Sequence, residues 1–235
     1  MAVIGVYDSG IGGLTTVKRI LNEFIGNDIY YYADNLHHPF GNTDEDKLKG
    51  VIENGIKHVR AHSDTVVLAC NTASSVTDDA DVIRLLPPIN EFACDAQNTL
   101  ILATARTLSK LNAPPEFKVA DTKELATLIE IQASLTYLKG KLDMSELLPY
   151  IAMRLHAFKG VRRVILGCSH YLFCKEQITK VLGDVEFCDG NDNLCEALKN
   201  KVYARPLEAS KITYDFSAMN EQKKYDKILK IIMSE

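Results

Sequence analysis

Two cysteines follow apolar segments of the same design. Cys70 lies in VVLACNT and Cys168 in VILGCSH, and in both segments two hydrogen-bonding residues follow the sulfur. A thiolate can act as a base, whereas a cysteine taken singly is more often a buried packing residue. The repeated context favours a chemical role for both. The other cysteines have no such partner segment and are interpreted as packing residues: Cys94, Cys174, Cys188 and Cys195.

The elements that must position these sulfurs form an alternating pattern of short apolar runs and longer amphipathic stretches. Apolar runs predict strands at 3–7, 28–33, 65–69, 99–103, 163–167, 185–188 and 212–216. Helical spacing predicts helices at 14–24, 44–61, 124–134, 145–158, 192–202 and 221–233. Asn42 or Thr43 is the expected N-cap of the second helix.

Strand–helix alternation predicts an α/β fold with mostly parallel sheets. We expect two similar doubly wound parallel-sheet domains that face each other, with the active site in the cleft between them. The predicted domains are 1–90 completed by 190–235, and 91–189, with the break near Pro87-Pro88. Ligands bind at the carboxyl ends of parallel strands, beside helix N-termini that favour anions. Both cysteines should therefore border a small anionic ligand.

A glycine-rich turn, DSGIGG at 8–13, follows the first predicted strand. Glycines let such a turn direct backbone amides at an anion. The turn is neither a dinucleotide-binding fingerprint nor a P-loop, because it lacks the spacing of the first and the Lys-Ser/Thr of the second. Asp8 could accept a proton or orient an amine, and a role as a helix N-cap is an equal alternative.

The whole-chain properties exclude several classes of partner. The formal net charge is −4 and no Lys/Arg-rich run offsets it, so nucleic acid is not expected. We expect no signal peptide and no membrane span. Widely spaced cysteines in a chain of this length favour a reduced, cytoplasmic protein, and neither they nor the histidines show the spacing of a zinc motif, so no metal is predicted.

Four blocks of the sequence resemble the glutamate racemases and, more broadly, the aspartate/glutamate racemase superfamily. They are IGVYDSGIGGLTTVK, ADNLHHPFGN, ACNTAS and LGCSHY, and they span residues 4–171 in the order the family shows. The resemblance implies racemisation without a cofactor, in which one thiolate removes the α-proton and the opposite thiol returns a proton. Two opposed acid/base groups are the minimum for inverting a stereocentre that does not move.

The resemblance also implies roles for individual residues. Cys70 would serve the D-enantiomer with help from Asp8, and Cys168 the L-enantiomer with help from His170. Glu130, in ATLIE, would support the second side. The substrate-contacting positions would be Asp8, Ser9, Phe40, Gly41, Asn71, Thr72, Ser169 and His170. The family further implies a homodimer and a supply of D-glutamate for peptidoglycan.

Several positions depart from the family pattern. Phe40 replaces a tyrosine and Ser169 a threonine, Leu172-Phe173 stands where the family has a proline, and the segment after Ala103 is shorter. These changes leave open a racemase of aspartate or another acidic amino acid, and a decarboxylase or isomerase of the superfamily. A non-catalytic binding protein is a further alternative. A pyridoxal-phosphate enzyme is not supported, because no lysine stands in a phosphate-binding context.

Overall fold

The computed structural model describes residues 2–205 and 209–234. In these residues the strands are β1 Val3–Asp8, β2 Asp28–Ala33, β3 Thr65–Leu68, β4 Ile83–Arg84, β5 Thr99–Ala103, β6 Lys118–Asp121, β7 Arg163–Gly167, β8 Glu186–Cys188 and β9 Ile212–Phe216. The α-helices are α1 Leu14–Glu23, α2 Glu45–Arg60, α3 Asn71–Val76, α4 Ala105–Lys110, α5 Leu125–Thr136, α6 Leu148–Leu155, α7 Lys175–Leu182, α8 Asn191–Lys199 and α9 Gln222–Ser234.

The strands form two parallel sheets, which confirms the predicted α/β fold class. The first sheet has the order β4-β3-β1-β2-β9 and the second the order β6-β5-β7-β8. Each paired strand runs parallel to its neighbour. The late strand β9 pairs with β2, so the chain returns to the first sheet after it has built the second.

Buried apolar residues explain why these segments are strands. Every residue of β3 and β5 is buried, as expected where helices cover both faces of a parallel sheet. One face of the first sheet packs on α2 through Tyr7, Leu48 and Ile52. A larger core contains residues of both sheets, among them Ile4 and Leu100, so the two halves share apolar packing.

The predicted elements are present, with differences at their ends and in the short ones. Asp44 caps α2, accepting from the amides of Asp46 at 3.1 Å and Lys47 at 3.4 Å, so the prediction of Asn42 or Thr43 was wrong. Its carboxylate also complements the positive helix N-terminus, which favours it over either neutral side chain. The sequence analysis did not predict β4, β6, α3, α4 or α7, all of which have eight residues or fewer.

The carboxyl ends of the two sheets face each other. Ser169, which follows β7, donates a hydrogen bond to Asp8 at the end of β1. Thr72, in the loop after β3, lies 3.1 Å from Thr104 after β5, measured between hydroxyl oxygens. Within residues 2–205 and 209–234, no helix combines the length and the apolar character needed to traverse a bilayer.

Candidate active site

Cys70 lies two residues beyond β3 and immediately before α3. Its side chain is buried, with the residue 6 % exposed, and Ser9 Oγ lies 4.0 Å from its sulfur. Burial raises the pKa of the Cys70 thiol, and the charge of Asp8 raises it further, while the amides of Ala73 and Thr72 oppose this. Cys70 is therefore a neutral thiol at neutral pH, the form that can give a proton.

Cys168 occupies the equivalent place after β7, where it precedes a short 3₁₀ helix, Ser169–Cys174. The residue is 7 % exposed, and the neighbouring His170 is 2 % exposed. Burial by itself lowers the pKa of His170, but its interactions with Cys168 and Glu130 outweigh burial and hold that pKa well above 6.5. The result is an imidazolium beside the second sulfur.

Asp8 links the two halves of the site. Its fully buried carboxylate accepts a hydrogen bond of 2.8 Å from the Gly10 amide and one of 3.0 Å from the Ser169 hydroxyl. Burial raises the pKa of Asp8, whereas the charge of His170 and these two hydrogen bonds oppose the rise. One carboxylate thus lies near Cys70 and is hydrogen-bonded to the residue that follows Cys168.

Glu130, on α5, connects the second half of the site to the first. It accepts from the Ile11 amide at 2.5 Å, lies 3.1 Å from His170 Nε2, and has Lys224 Nζ at 3.8 Å. Burial raises the pKa of Glu130, but its hydrogen bond to His170 and the surrounding positive charges lower it to about 2. Glu130 is therefore a carboxylate whose charge holds His170 in its protonated form.

The glycines of the turn at 8–13 permit this close approach. A Cβ atom at Gly12 would lie 2.5 Å from His170 Nδ1, and one at Gly10 would overlap the Glu130 carboxylate. Real Cβ contacts do not reach such distances, so any side chain here would push the turn away from the second sheet. The sequence analysis associated these glycines with an anion, and the structure adds that they let the two halves touch.

Hydroxyl and amide groups surround the sulfurs. Thr72 Oγ1 lies 3.1 Å from Thr104 Oγ1 and 3.3 Å from Thr107 Oγ1. Asn71 donates to the Leu85 carbonyl at 3.2 Å, and its Oδ1 has no hydrogen-bond partner in the described part of the chain. Thr104 and Thr107 were not predicted, although Thr104 directly follows a buried strand, as a site residue would.

Phe40 and Gly41 begin a short 3₁₀ helix at the edge of the site. The Phe40 ring is buried and packs edge-on against Tyr7, with ring centres 6.1 Å apart. Its side chain therefore belongs to the core, which leaves its backbone for any contact with a ligand. Gly41 lies against Thr104, where a Cβ atom would come within 3.1 Å of the threonine Cβ.

A cavity of about 310 Å³ opens to the surface beside the site. The residues that line it come from both halves: Ser9, Asn35, His38, Glu130, Ile131, Ser134, Leu135, Glu221, Lys224 and Tyr225. His38 and Lys224 were not predicted as site residues. Larger cavities of about 660 and 840 Å³ contain no predicted site residue, and the second adjoins this cavity, with which it shares Ser134, Glu221 and Lys224.

The structure thus brings the sequence-predicted residues into one region. Asp8, Ser169 and His170 are joined through hydrogen bonds and charge, and Ser9 lies beside Cys70. Cys168, like Asp8, contributes to the raised pKa of the Cys70 thiol, which places the two sulfurs in the same region. Two thiols therefore follow strand ends of two facing sheets, with an imidazolium and two carboxylates around them, and such groups can donate and accept protons.

Comparisons with known proteins were made for the sequence and for the fold. No protein-family model matches the chain. A glutamate racemase of Halothermothrix orenii is 27% identical over 211 residues, which cover 84% of this chain and 83% of that protein. The chain is thus similar in sequence to glutamate racemases over most of its length.

Solved structures of glutamate racemases have the same fold. One, from Bacillus anthracis, aligns with a TM-score of 0.78 at 21% identity and covers 100% of this chain and 94% of its own. Another, from Francisella tularensis in complex with D-glutamate, aligns with a TM-score of 0.74 at 23% identity and covers 100% of this chain and 94% of its own. The match over nearly the full length confirms the fold of two parallel-sheet halves.

Proposed function

We propose that the protein racemises glutamate by a two-cysteine, two-base proton transfer at the α-carbon, without an organic cofactor or a catalytic metal ion. The observation that carries the proposal is the placement of Cys70 and Cys168 at the carboxyl ends of two sheets that face each other. The homologous glutamate racemases support the reaction class and the substrate. The D-glutamate complex of the Francisella protein supports a small amino acid as ligand.

The two sulfurs have different surroundings in the ligand-free protein. Cys70 is a neutral thiol because burial and Asp8 disfavour its charged form. The imidazolium of His170 lies beside Cys168. We propose that Cys168, as a thiolate, removes the α-proton of L-glutamate and that Cys70, as a thiol, delivers a proton to the opposite face. The reverse transfers would convert the D-enantiomer.

The remaining site residues would hold the substrate and its developing negative charge. The α-proton of an amino acid is very weakly acidic, so preorganised donors must stabilise the carbanion. The hydroxyls of Ser9, Thr72 and Ser169 and the side-chain amide of Asn71 would supply such donors, together with amides of the turn at 8–13. The Asp8 carboxylate would orient the substrate amine.

Other aspects of the function are proposals from family resemblance and from the state of the cysteines. We propose that the D-glutamate serves peptidoglycan synthesis. All six cysteines are free thiols, which fits a reduced cytoplasmic compartment. A homodimer stays a prediction.

Solvent exchange tests the proposal directly. In deuterated buffer without added cofactor, the protein should replace the α-hydrogen of L- and D-glutamate with deuterium, followed by NMR, while optical rotation falls to zero. Cys70→Ala and Cys168→Ala should each reduce racemisation at least about 100-fold, because each removes a general acid–base group. Cys94→Ala changes an exposed cysteine and should leave the rate unaltered.

Two outcomes would revise or end the proposal. Full activity in both Cys70→Ala and Cys168→Ala would refute the two-cysteine mechanism. Exchange with aspartate but not with glutamate would retain the mechanism and change the substrate.

A further inference from the structure

Three side chains that are distant in the sequence lie close together beside the 310 Å³ cavity, and His38 and Glu130 line it. His38 precedes Phe40, Glu130 lies on α5, and His170 follows Cys168. One ligand atom from each, an imidazole nitrogen or a carboxylate oxygen, lies within 4.8 Å of both others. We call these three residues the His–Glu–His cluster. Two imidazoles and one carboxylate form a ligand set that zinc accepts.

His38 carries an unexplained polar atom in this cluster. Its Nδ1 lies 3.4 Å from Ser9 Oγ, while its Nε2 is inaccessible to solvent and has no hydrogen-bond partner in residues 2–205 and 209–234. An unsatisfied buried nitrogen costs about 1–3 kcal/mol. Such an atom in a native structure calls for an explanation, of which a bound ion is one.

The spacing of the two imidazoles fits a shared metal ion. Their ring centres are 5.3 Å apart, with 42° between the ring planes. Two imidazoles bound to one tetrahedral zinc, with Zn–N near 2.0–2.1 Å, hold their ring centres roughly 5 Å apart. His170 Nε2 and Glu130 Oε1 are already 3.1 Å apart, close to the roughly 3.4 Å between neighbouring ligand atoms of such an ion.

The two oxygens of the Glu130 carboxylate have different partners. Glu130 Oε2 lies 3.8 Å from Lys224 Nζ, whereas Oε1 faces His170 and also accepts from the Ile11 amide, a contact that a metal ion on its other side would leave in place. A metal ion between Oε1 and the two imidazoles would replace the hydrogen that His170 and Glu130 now share. It would leave the Lys224 contact in place.

We propose that the His–Glu–His cluster binds one zinc ion, or a chemically similar divalent transition metal, and that the bound metal inhibits the enzyme. The inhibitory part rests on the proposed function, because a metal bound to Nε2 would remove the acidic hydrogen of His170 and withdraw Glu130 from it. The binding part rests on the geometry of the cluster alone. The ion would also narrow the cavity that leads towards Ser9.

Cobalt(II) is the probe for binding, since its visible absorption reports coordination independently of activity. Titration of the intact protein should give a one-to-one increase in visible absorption, typical of a four- or five-coordinate ion with nitrogen and oxygen ligands. His38→Asn removes the Nε2 ligand while the amide can still reach Ser9. It should weaken cobalt binding by more than about 10–100-fold, the usual cost of losing even an outer partner of a metal ligand.

Matched variants keep this test decisive. His62→Asn makes the same change at an exposed histidine and should bind cobalt as the parent protein does. Glu130→Gln removes a second proposed ligand and should also weaken binding, so the test survives if His38→Asn fails to fold. Undiminished binding in both cluster variants would overturn the proposal. So would an intense near-ultraviolet sulfur-to-cobalt absorption, which would place the ion on a cysteine instead of the cluster.

Zinc inhibition tests the second half of the proposal. Micromolar zinc should slow racemisation by the parent protein, a chelator should restore the rate, and His38→Asn should need at least about tenfold more zinc. Each protein's own rate without zinc is the reference. Cobalt binding in a protein that does not racemise glutamate would refute the proposed function and leave the metal site standing. Equal zinc sensitivity of His38→Asn would overturn the inhibitory role.

Discussion

At the residue scale, the site is defined by the protonation states that its neighbours impose. Burial favours neutral groups, and it keeps Cys70 a thiol. Glu130 and His170 are buried as well, yet they remain charged because each compensates the other. A buried pair of this kind loses far more free energy when one partner is removed than an exposed pair does.

The Glu130–His170 pair predicts a pH-dependent loss of stability in Glu130→Gln. The raised pKa of His170 stabilises the folded state below its ordinary value of 6.5, and this contribution is lost as the pH rises through the folded pKa. The lowered pKa of Glu130 stabilises the folded state above pH 4.5, and this contribution is lost as the pH falls towards about 2. Between pH 4.5 and 6.5 we expect Glu130→Gln to lower the free energy of unfolding by about 1.5–3 kcal/mol.

Urea unfolding at several pH values measures this effect. The difference in the free energy of unfolding between the parent protein and Glu130→Gln should shrink below pH 4. As the pH is raised, the rate of L-glutamate conversion should also fall at a lower pH in Glu130→Gln than in the parent protein. The reason is that His170 without its carboxylate partner releases its proton more readily. Glu196→Gln, which affects an exposed pair with Lys199, is the control and should change neither profile. A constant stability difference from pH 2.5 to 6 would contradict the assignment of the pair.

At the element scale, the strand ends and the turn at 8–13 bring reactive side chains from the two sheets into one region. Gly12→Ala should reduce racemisation strongly while the protein still folds, because the new methyl would collide with His170 and Ser169. Overpacking of this kind typically costs about 1–3 kcal/mol of stability. Thermal unfolding and the racemisation rate, measured on the same preparation, separate the two effects.

Gly50→Ala is the matched control for that substitution. Gly50 lies within α2, and a Cβ atom there meets nothing within 4 Å. Alanine should therefore stabilise the helix by about 0.5–1 kcal/mol and leave the rate unchanged. A Gly12→Ala protein with the parent's activity would show that the turn does not need to touch the second sheet.

The same scale explains how much of the molecule the sequence could predict. Long, fully apolar runs such as those of β3 and β5 specify buried strands by themselves, and the repeated segments around Cys70 and Cys168 identify the strand ends that carry the site. Short elements such as β6 and α4 have too few residues for a periodic pattern. His38 and Lys224 could not be predicted, because only the tertiary fold brings them to Glu130.

At the scale of the whole molecule, the two halves are closed over the sulfurs. Because Cys70 and Cys168 are buried, we expect the halves to move apart when a substrate enters. Ionic contacts at the rim link α4 to the start of α2: Arg106 lies 2.9 Å from Glu45, and Lys110 lies 2.5 Å from it. Arg106 also donates to the Thr43 carbonyl at 2.7 Å. These contacts stabilise the closed form.

Glu45→Gln should weaken that closed form. We expect kcat/KM to fall about two- to fivefold at low ionic strength, the range for pairs near the surface, mainly through a higher KM. The difference should disappear near 1 M salt, where charges at the rim are screened in both proteins. Glu176→Gln, in the exposed pair with Lys180, is the control. A defect that persists undiminished in high salt would show that Glu45 acts in another way.

The pairing of β9 with β2 and the approach of Lys224 to Glu130 have a consequence for biosynthesis. A ribosome delivers β1, β2 and β3 first, but the edge partner of β2 emerges only after all of the second sheet has been translated. The half that carries Asp8 and Cys70 is therefore the last to be completed. A nascent polypeptide that stalls before residue 212 contains Cys70 and Cys168. It still lacks β9 and Lys224, which complete the surroundings of the site.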